Sequence, residues 1–198
     1  MLFIISAPSA AGKTTIVREL IRRVPGLARL TTATTRAPRD DEEDGKDYTF
    51  LSEQAFVRMI HSGELVEWKK TYGNYYGVPK AAVEEAIRSS SDFVIILDVY
   101  GREEFRRRWP SCVSIFIAPS DVRDLRERLA GRTDCPQEEL EARASRIDEE
   151  LAFAPSYDHI VVNESVDQAV AEIAEIIARY RATLGPEPRP PHSEGDPR

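Results

Sequence analysis

Apolar and polar positions alternate in blocks along the chain. Leu2–Ser6 is a continuous apolar run, the pattern of a parallel strand covered on both faces. Ile16, Val17, Leu20, Ile21 and Val24 then follow helical spacing, and Pro25-Gly26 ends that helix. Residues 30–50 are polar and charged, with an acidic run at 40–44, and predict short strands at most. Ser52 predicts a helix cap, with the helix running to about His61, and Pro79 is placed to open another. Residues 73–77 have the composition of a loop and sheet edge. Buried strands are expected at 93–97, 112–117 and 159–162, with helices over most of 120–152. Ser165 and Gln168 form a capping box for a last helix whose inner face is Val166, Ala169, Val170, Ile173, Ile177 and Tyr180. That order predicts an α/β, three-layer fold with a mainly parallel sheet.

Composition narrows the classes. The 198 residues suit one domain with small inserted lobes, and 41% hydrophobic residues suffice for a core. A net charge of −7 argues against a nucleic-acid partner. No apolar run approaches the ~18 residues of a membrane span, and residues 1–7 read as a buried strand, not a signal peptide. The two cysteines, Cys112 and Cys135, lack the neighbours of a disulfide framework or metal site and fit a reducing, cytoplasmic setting. Five prolines in the last 14 residues predict a disordered tail over about 184–198. Homo-oligomerisation is left open.

Chemistry enters directly after the first strand. Ala7-Pro8-Ser9-Ala10-Ala11-Gly12-Lys13-Thr14, followed by Thr15, lies between strand and helix as a Walker A loop requires. Backbone N–H groups there surround phosphate oxygens at the positive helix end. Lys13 is placed for the β- and γ-phosphates and Thr14 for Mg²⁺. The pattern's first glycine is Ala7 here, and Ala10 replaces another loop glycine. Downstream, Arg36 and Arg39 flank Pro38, and Tyr48 follows. Two forked cations with a neutral donor make a phosphate clamp, although a charged surface loop has the same composition.

Six blocks now occur in order over about residues 1–180: the phosphate loop; Thr34-Thr35-Arg36-Ala37-Pro38-Arg39 with Gly45, Asp47 and Tyr48; Glu67-Trp68 with Gly73-Asn74-Tyr75-Tyr76-Gly77; Ile96-Leu97-Asp98; Arg128-Leu129-Ala130-Gly131-Arg132; and Val161-Val162-Asn163. Together they resemble the guanylate kinase family. The resemblance implies a P-loop kinase core over 1–183 carrying a GMP-binding lobe at about 32–80 and a helical lid at about 122–150. It implies ATP and GMP as substrates, with Mg²⁺ accompanying ATP. Arg36, Arg39, Tyr48 and Tyr76 match the family positions that bind the GMP phosphate. Glu67 and Asp98 match those that read guanine, Thr32 a hydroxyl near the base, and Gly77 a point of close backbone approach. Arg128, Arg132 and Arg143 match lid and transfer-site residues, and Asn163 a position near the adenine. Carboxylates suit guanine because N1–H and the 2-amino group both donate, whereas adenine would leave a buried acceptor unpaired. Arg123 and Arg126 read instead as a solvated helix face with Asp124 and Glu127.

The chain departs from the family at Val78, where many members have a hydroxyl worth about 0.5–1.5 kcal/mol of base affinity. It departs again after Asp98. There Val99-Tyr100-Gly101-Arg102 replaces the usual D-x-D-x-Q-G run, so a second acid and a glutamine are missing. Two alternatives share the scaffold: a ribose bisphosphate kinase, disfavoured by Glu67 with Arg36, Arg39 and Tyr48, and a non-catalytic protein-binding module, disfavoured by the intact Gly12-Lys13-Thr14.

Overall fold

The computed structural model describes residues 1–89, 91–131 and 137–184. Strands β1 (Leu2–Ser6), β2 (Leu27–Arg29), β7 (Asp92–Ile96), β8 (Val113–Pro119) and β9 (His159–Asn163) form a parallel sheet in the order β2-β7-β1-β8-β9. Central β1 has Phe3, Ile4 and Ile5 fully buried, as its continuous apolar run requires. Helix α1 (Lys13–Arg23) packs Ile16, Val17 and Leu20 into the same cluster as Val170, Ile173 and Ile177 of α8 (Val166–Leu184). On the other side of the sheet, Ile4 and Ile95 pack with Phe105 of α4 (Val99–Arg108) and Val83 of α3 (Lys80–Arg88). The α/β layering expected from the alternation is thus present. Residues 132–136 of the expected lid and 185–198 of the expected disordered tail lie outside the described residues, and Leu184 ends α8.

The lobe is a second sheet, ordered β4-β3-β6-β5, from β3 (Thr32–Thr34), β4 (Tyr48–Phe50), β5 (Leu65–Thr71) and β6 (Asn74–Pro79). Helix α2 (Glu53–His61) covers it, capped by the Ser52 hydroxyl accepting from Ala55 N–H at 3.2 Å. Two elements depart from the sequence reading. The β5–β6 hairpin replaces the expected loop, because alternation in β5 is broken by a bulge between Leu65 and Trp68 and by charged side chains facing a cleft. Helix α4 went unread because it is arginine-rich with little amphipathic signal; the Asp98 carboxylate caps it through Gly101 N–H at 2.8 Å. Pro79 opens α3 as expected, standing at its N-cap. Helices α5 (Val122–Ala130), α6 (Gln137–Ser145) and α7 (Ile147–Ala152) occupy the stretch expected to form a lid.

Candidate active site

The cleft begins where β1 delivers the chain to α1. Gly12 at φ +87° caps α1, and Ala10 holds φ +63°, a left-handed conformation that disfavours a side chain. Ser9 N–H meets a carboxylate, Glu150 of α7, at 3.2 Å, while Ala11 N–H donates to Pro8 C=O at 3.3 Å. Lys13 folds back onto the Ala7 and Pro8 carbonyls, the latter at 3.0 Å. Ala7, Ser9, Ala10, Ala11, Gly12, Lys13, Thr14 and Thr15 all line the cleft, a space of about 500 Å³. Asn163 lies behind the loop instead, donating to Ala11 C=O at 3.0 Å and lying against Gly12. It supports the loop's shape and is not among the cleft-lining residues.

Across the cleft stand Thr32, Arg36, Arg39, Tyr48, Glu67, Tyr76, Gly77 and Asp98. The buried Glu42 carboxylate organises the arginines: it accepts both contacts from one Arg36 guanidinium nitrogen, at 2.8 and 2.9 Å, and Arg39 N–H at 2.9 Å. Arg36 lies 5.6 Å over the Tyr48 ring, and Tyr76 meets Tyr48 edge-on at 6.5 Å. Asp47, the buried neighbour of Tyr48, joins Arg29 at 2.8 Å and Arg18 of α1 at 3.0 Å, tying the clamp to the helix that begins at the phosphate loop.

Glu67 and Asp98 converge on Gly101. A methyl group built there would lie 3.3 Å from Asp98 Oδ1 and 3.5 Å from Glu67 Oε1. Burial pushes the Glu67 carboxyl above its usual range, against the pull of the Lys69 ammonium. Lys69, which sequence reasoning missed, pairs with the second Asp98 oxygen. Oδ1 caps α4 and Oδ2 meets Lys69, so Asp98 and the buried Glu67 stand together at this end of the cleft. No periodicity flagged Lys69, because its signal is a tertiary approach of β5 to the end of β7. Gly77 is required by the protein itself: a Cβ there would meet the Glu67 carbonyl at 2.9 Å and Phe56 and Trp68 at 3.0 Å. Val78 is fully buried in the cluster with Ile95 and Leu97 and does not line the cleft.

Arg128 of α5 and Arg143 of α6 reach the cleft, together with Arg146 at the cap of α7, a residue the sequence reading did not name. Arg143 pairs with Glu139 at 2.9 Å. Arg132 lies outside the described residues. Arg123 and Arg126 are exposed, pairing with Asp121 and Asp148 at 2.7 and 2.9 Å. They form a solvated face, though with partners other than the neighbours expected.

The Guanylate kinase family model matches residues 1–180, the whole of this architecture. The chain belongs to the guanylate kinase family. A guanylate kinase of Rhodopseudomonas palustris is 41% identical over 182 residues, covering 91% of this chain and 83% of the relative. One of Thermotoga maritima is 36% identical, covering 92% of this chain and 88% of that one. The crystal structure of guanylate kinase from Anaplasma phagocytophilum superposes with a TM-score of 0.74 at 27% identity, covering 91% of this chain and 85% of that one. Among the described residues no helix is long and apolar enough to cross a membrane.

Proposed function

We propose that this cleft carries out the guanylate kinase reaction, transfer of the γ-phosphoryl group of ATP to GMP, with roles divided as follows. The loop from Ala7 to Thr15 holds the ATP phosphates. Arg36, Arg39, Tyr48 and Tyr76 hold the acceptor phosphate. Glu67 accepts from guanine N1–H and the 2-amino group, with Thr32 beside the base and Asp98 steadied by Lys69. The observation that carries this reading is that phosphate loop, arginine–tyrosine clamp and buried acid all face one cleft.

In the reaction a GMP phosphate oxygen attacks the γ-phosphorus in line. The new P–O bond forms as the bond between γ-phosphorus and the β,γ-bridging oxygen breaks, and ADP departs with that oxygen. The acceptor is already an anion, so no general base is required. Lys13 leaves the Ala7 and Pro8 carbonyls to follow the transferring group. Glu150 yields Ser9 N–H to phosphate. Arg128, Arg143 and Arg132 neutralise charge as the lid excludes water.

Thr14 is the side chain that would hold Mg²⁺. Among the described residues no cluster of three His, Cys, Asp or Glu forms a cation cage, which fits an ion bound mainly by the nucleotide's phosphates. Bound there, the ion would supply charge neutralisation for the transferring phosphoryl group.

A coupled ADP-release assay tests the reading. ATP with Mg²⁺ is offered GMP, dGMP, AMP, UMP or ribose 1,5-bisphosphate in turn. Turnover confined to the guanine nucleotides is expected, while turnover with the ribose compound alone would move the chain to a sugar-phosphate kinase.

A further inference from the structure

The turn joining β5 to β6 contains only Tyr72 and Gly73, with Thr71 paired to Asn74. Both turn residues have positive φ, +51° and +77°, the signature of a type I′ hairpin turn. Asn, Asp or Gly is the residue such a turn favours at its first position. A tyrosine there accepts a left-handed conformation that costs about 1–2 kcal/mol for a residue with a Cβ. Backbone strain at one position, with a bulky side chain where a small one would serve better, directs attention to what that side chain touches.

It touches the lid. The Arg143 guanidinium lies 4.9 Å over the Tyr72 ring. Arg146, which lies 5.4 Å over the Tyr100 ring, stands near enough to Tyr72 for its charge to act on the phenol. Tyr72, Arg143 and Arg146 all line the cleft. The same hairpin carries Glu67 on β5 and Tyr76 on β6, so the turn extends from the strands that present the base-reading and phosphate-holding groups.

We propose that Tyr72 is a positioning residue that couples the acceptor lobe to the lid, holding Arg143 and Arg146 over the cleft. The inference rests on the phosphoryl-transfer reading above. It adds that the cationic end of the lid takes its position from the acceptor hairpin, and that this fixes a residue of poor turn chemistry at the tip. Arg146 thereby joins the site as a second cation, lying over the Tyr100 ring beside the Arg143–Tyr72 pair.

The test replaces Tyr72 with the residue that the turn favours. Tyr72→Asn removes the ring and relieves the backbone, so its Tm should equal or exceed that of the parent. Its kcat should fall about 10-fold, since small misplacement of transfer groups is costly. KM for GMP should shift little, because the clamp is untouched. Tyr72→Phe, which keeps the ring beneath Arg143 and removes only the hydroxyl, should fall between the two. A parental kcat in Tyr72→Asn would overturn the proposal. If Tm falls along with kcat, the cycle with Arg143→Lys decides. Strong non-additivity supports coupling through the ring, and additive losses overturn it. Backbone hydrogen exchange over α6 and α7 reads the same coupling without turnover. In the free protein, Tyr72→Asn should exchange several-fold faster there and equally in the core sheet, whereas identical exchange in both proteins counts against the link. Absence of turnover with GMP in the parent would refute the transfer reading and leave this exchange comparison standing.

Discussion

At Ala10 the phosphate loop holds φ +63° with a methyl group attached, whereas at Gly12, φ +87°, no side chain opposes the same kind of turn. Ala10→Gly should therefore stabilise the protein by about 1 kcal/mol, less whatever the added freedom of the unfolded chain takes back. For a domain of this size that is a rise in Tm of about 2–4 °C, checked by calorimetry, with activity retained because the loop N–H groups are unchanged. Glu67 predicts a pH effect. Its carboxyl is raised by burial, and in the proposed role only the carboxylate accepts from the guanine edge. Guanine reading is thus complete above the raised pKa and lost as pH falls through it, while an ordinary carboxylate would still be ionised. KM for GMP should rise at mildly acidic pH. In Glu67→Gln, which accepts less well at every pH, the dependence should be reduced to the titration of the GMP phosphate itself.

Among the elements, the β4 end of the lobe is fastened to α1 by Asp47, which accepts from Arg18, from Arg29 and from Glu43 N–H at 3.0 Å. Asp47→Asn leaves two arginines facing a neutral group at a nearly buried site, a loss of about 3 kcal/mol. Thermal unfolding should show it as a Tm lower by about 6–12 °C, and KM for GMP should rise because Tyr48 follows directly. Elements whose signal is local were legible in the sequence. β1 has its continuous apolar run, α2 its Ser52 cap, and α8 its capping box, where Gln168 N–H donates to Ser165 Oγ at 3.3 Å. The phosphate loop and the arginine–tyrosine pairs were legible as motifs. What escaped depends on distant partners. β5 alternates only with respect to a cleft made by other elements. α4 carries the buried Arg102, whose guanidinium lies 4.2 Å over the Tyr157 ring, and a buried cation within a helix gives no amphipathic pattern. Lys69, Tyr72 and Arg146 each acquire a role through a contact between lobe, core and lid.

Charge is distributed unevenly over the whole molecule. The chain carries −7, yet among the described residues the cleft is lined by seven cations, Lys13, Arg36, Arg39, Lys69, Arg128, Arg143 and Arg146, against five acids, Asp41, Glu42, Glu67, Asp98 and Glu150. An acidic exterior around a basic cleft draws anionic nucleotides to one place and disfavours other polyanions. Raising salt from 0.05 to 0.5 M shortens the screening length from about 14 Å to about 4 Å. KM for both nucleotides should then rise several-fold while kcat changes less, because the transfer step occurs in the closed cleft. Equal sensitivity of kcat would place the screened charges in the chemical step instead.

The central claim is that a buried acid in this cleft selects guanine for phosphorylation. The most direct measurement is kcat/KM for GMP against AMP, in the parent and in Glu67→Ala. The account predicts that the parent favours GMP by at least about 10⁴-fold and that removing the carboxylate lowers the GMP value about 10²-fold, with AMP little changed. A parent that does not distinguish the two, or an unchanged ratio in Glu67→Ala, would contradict it.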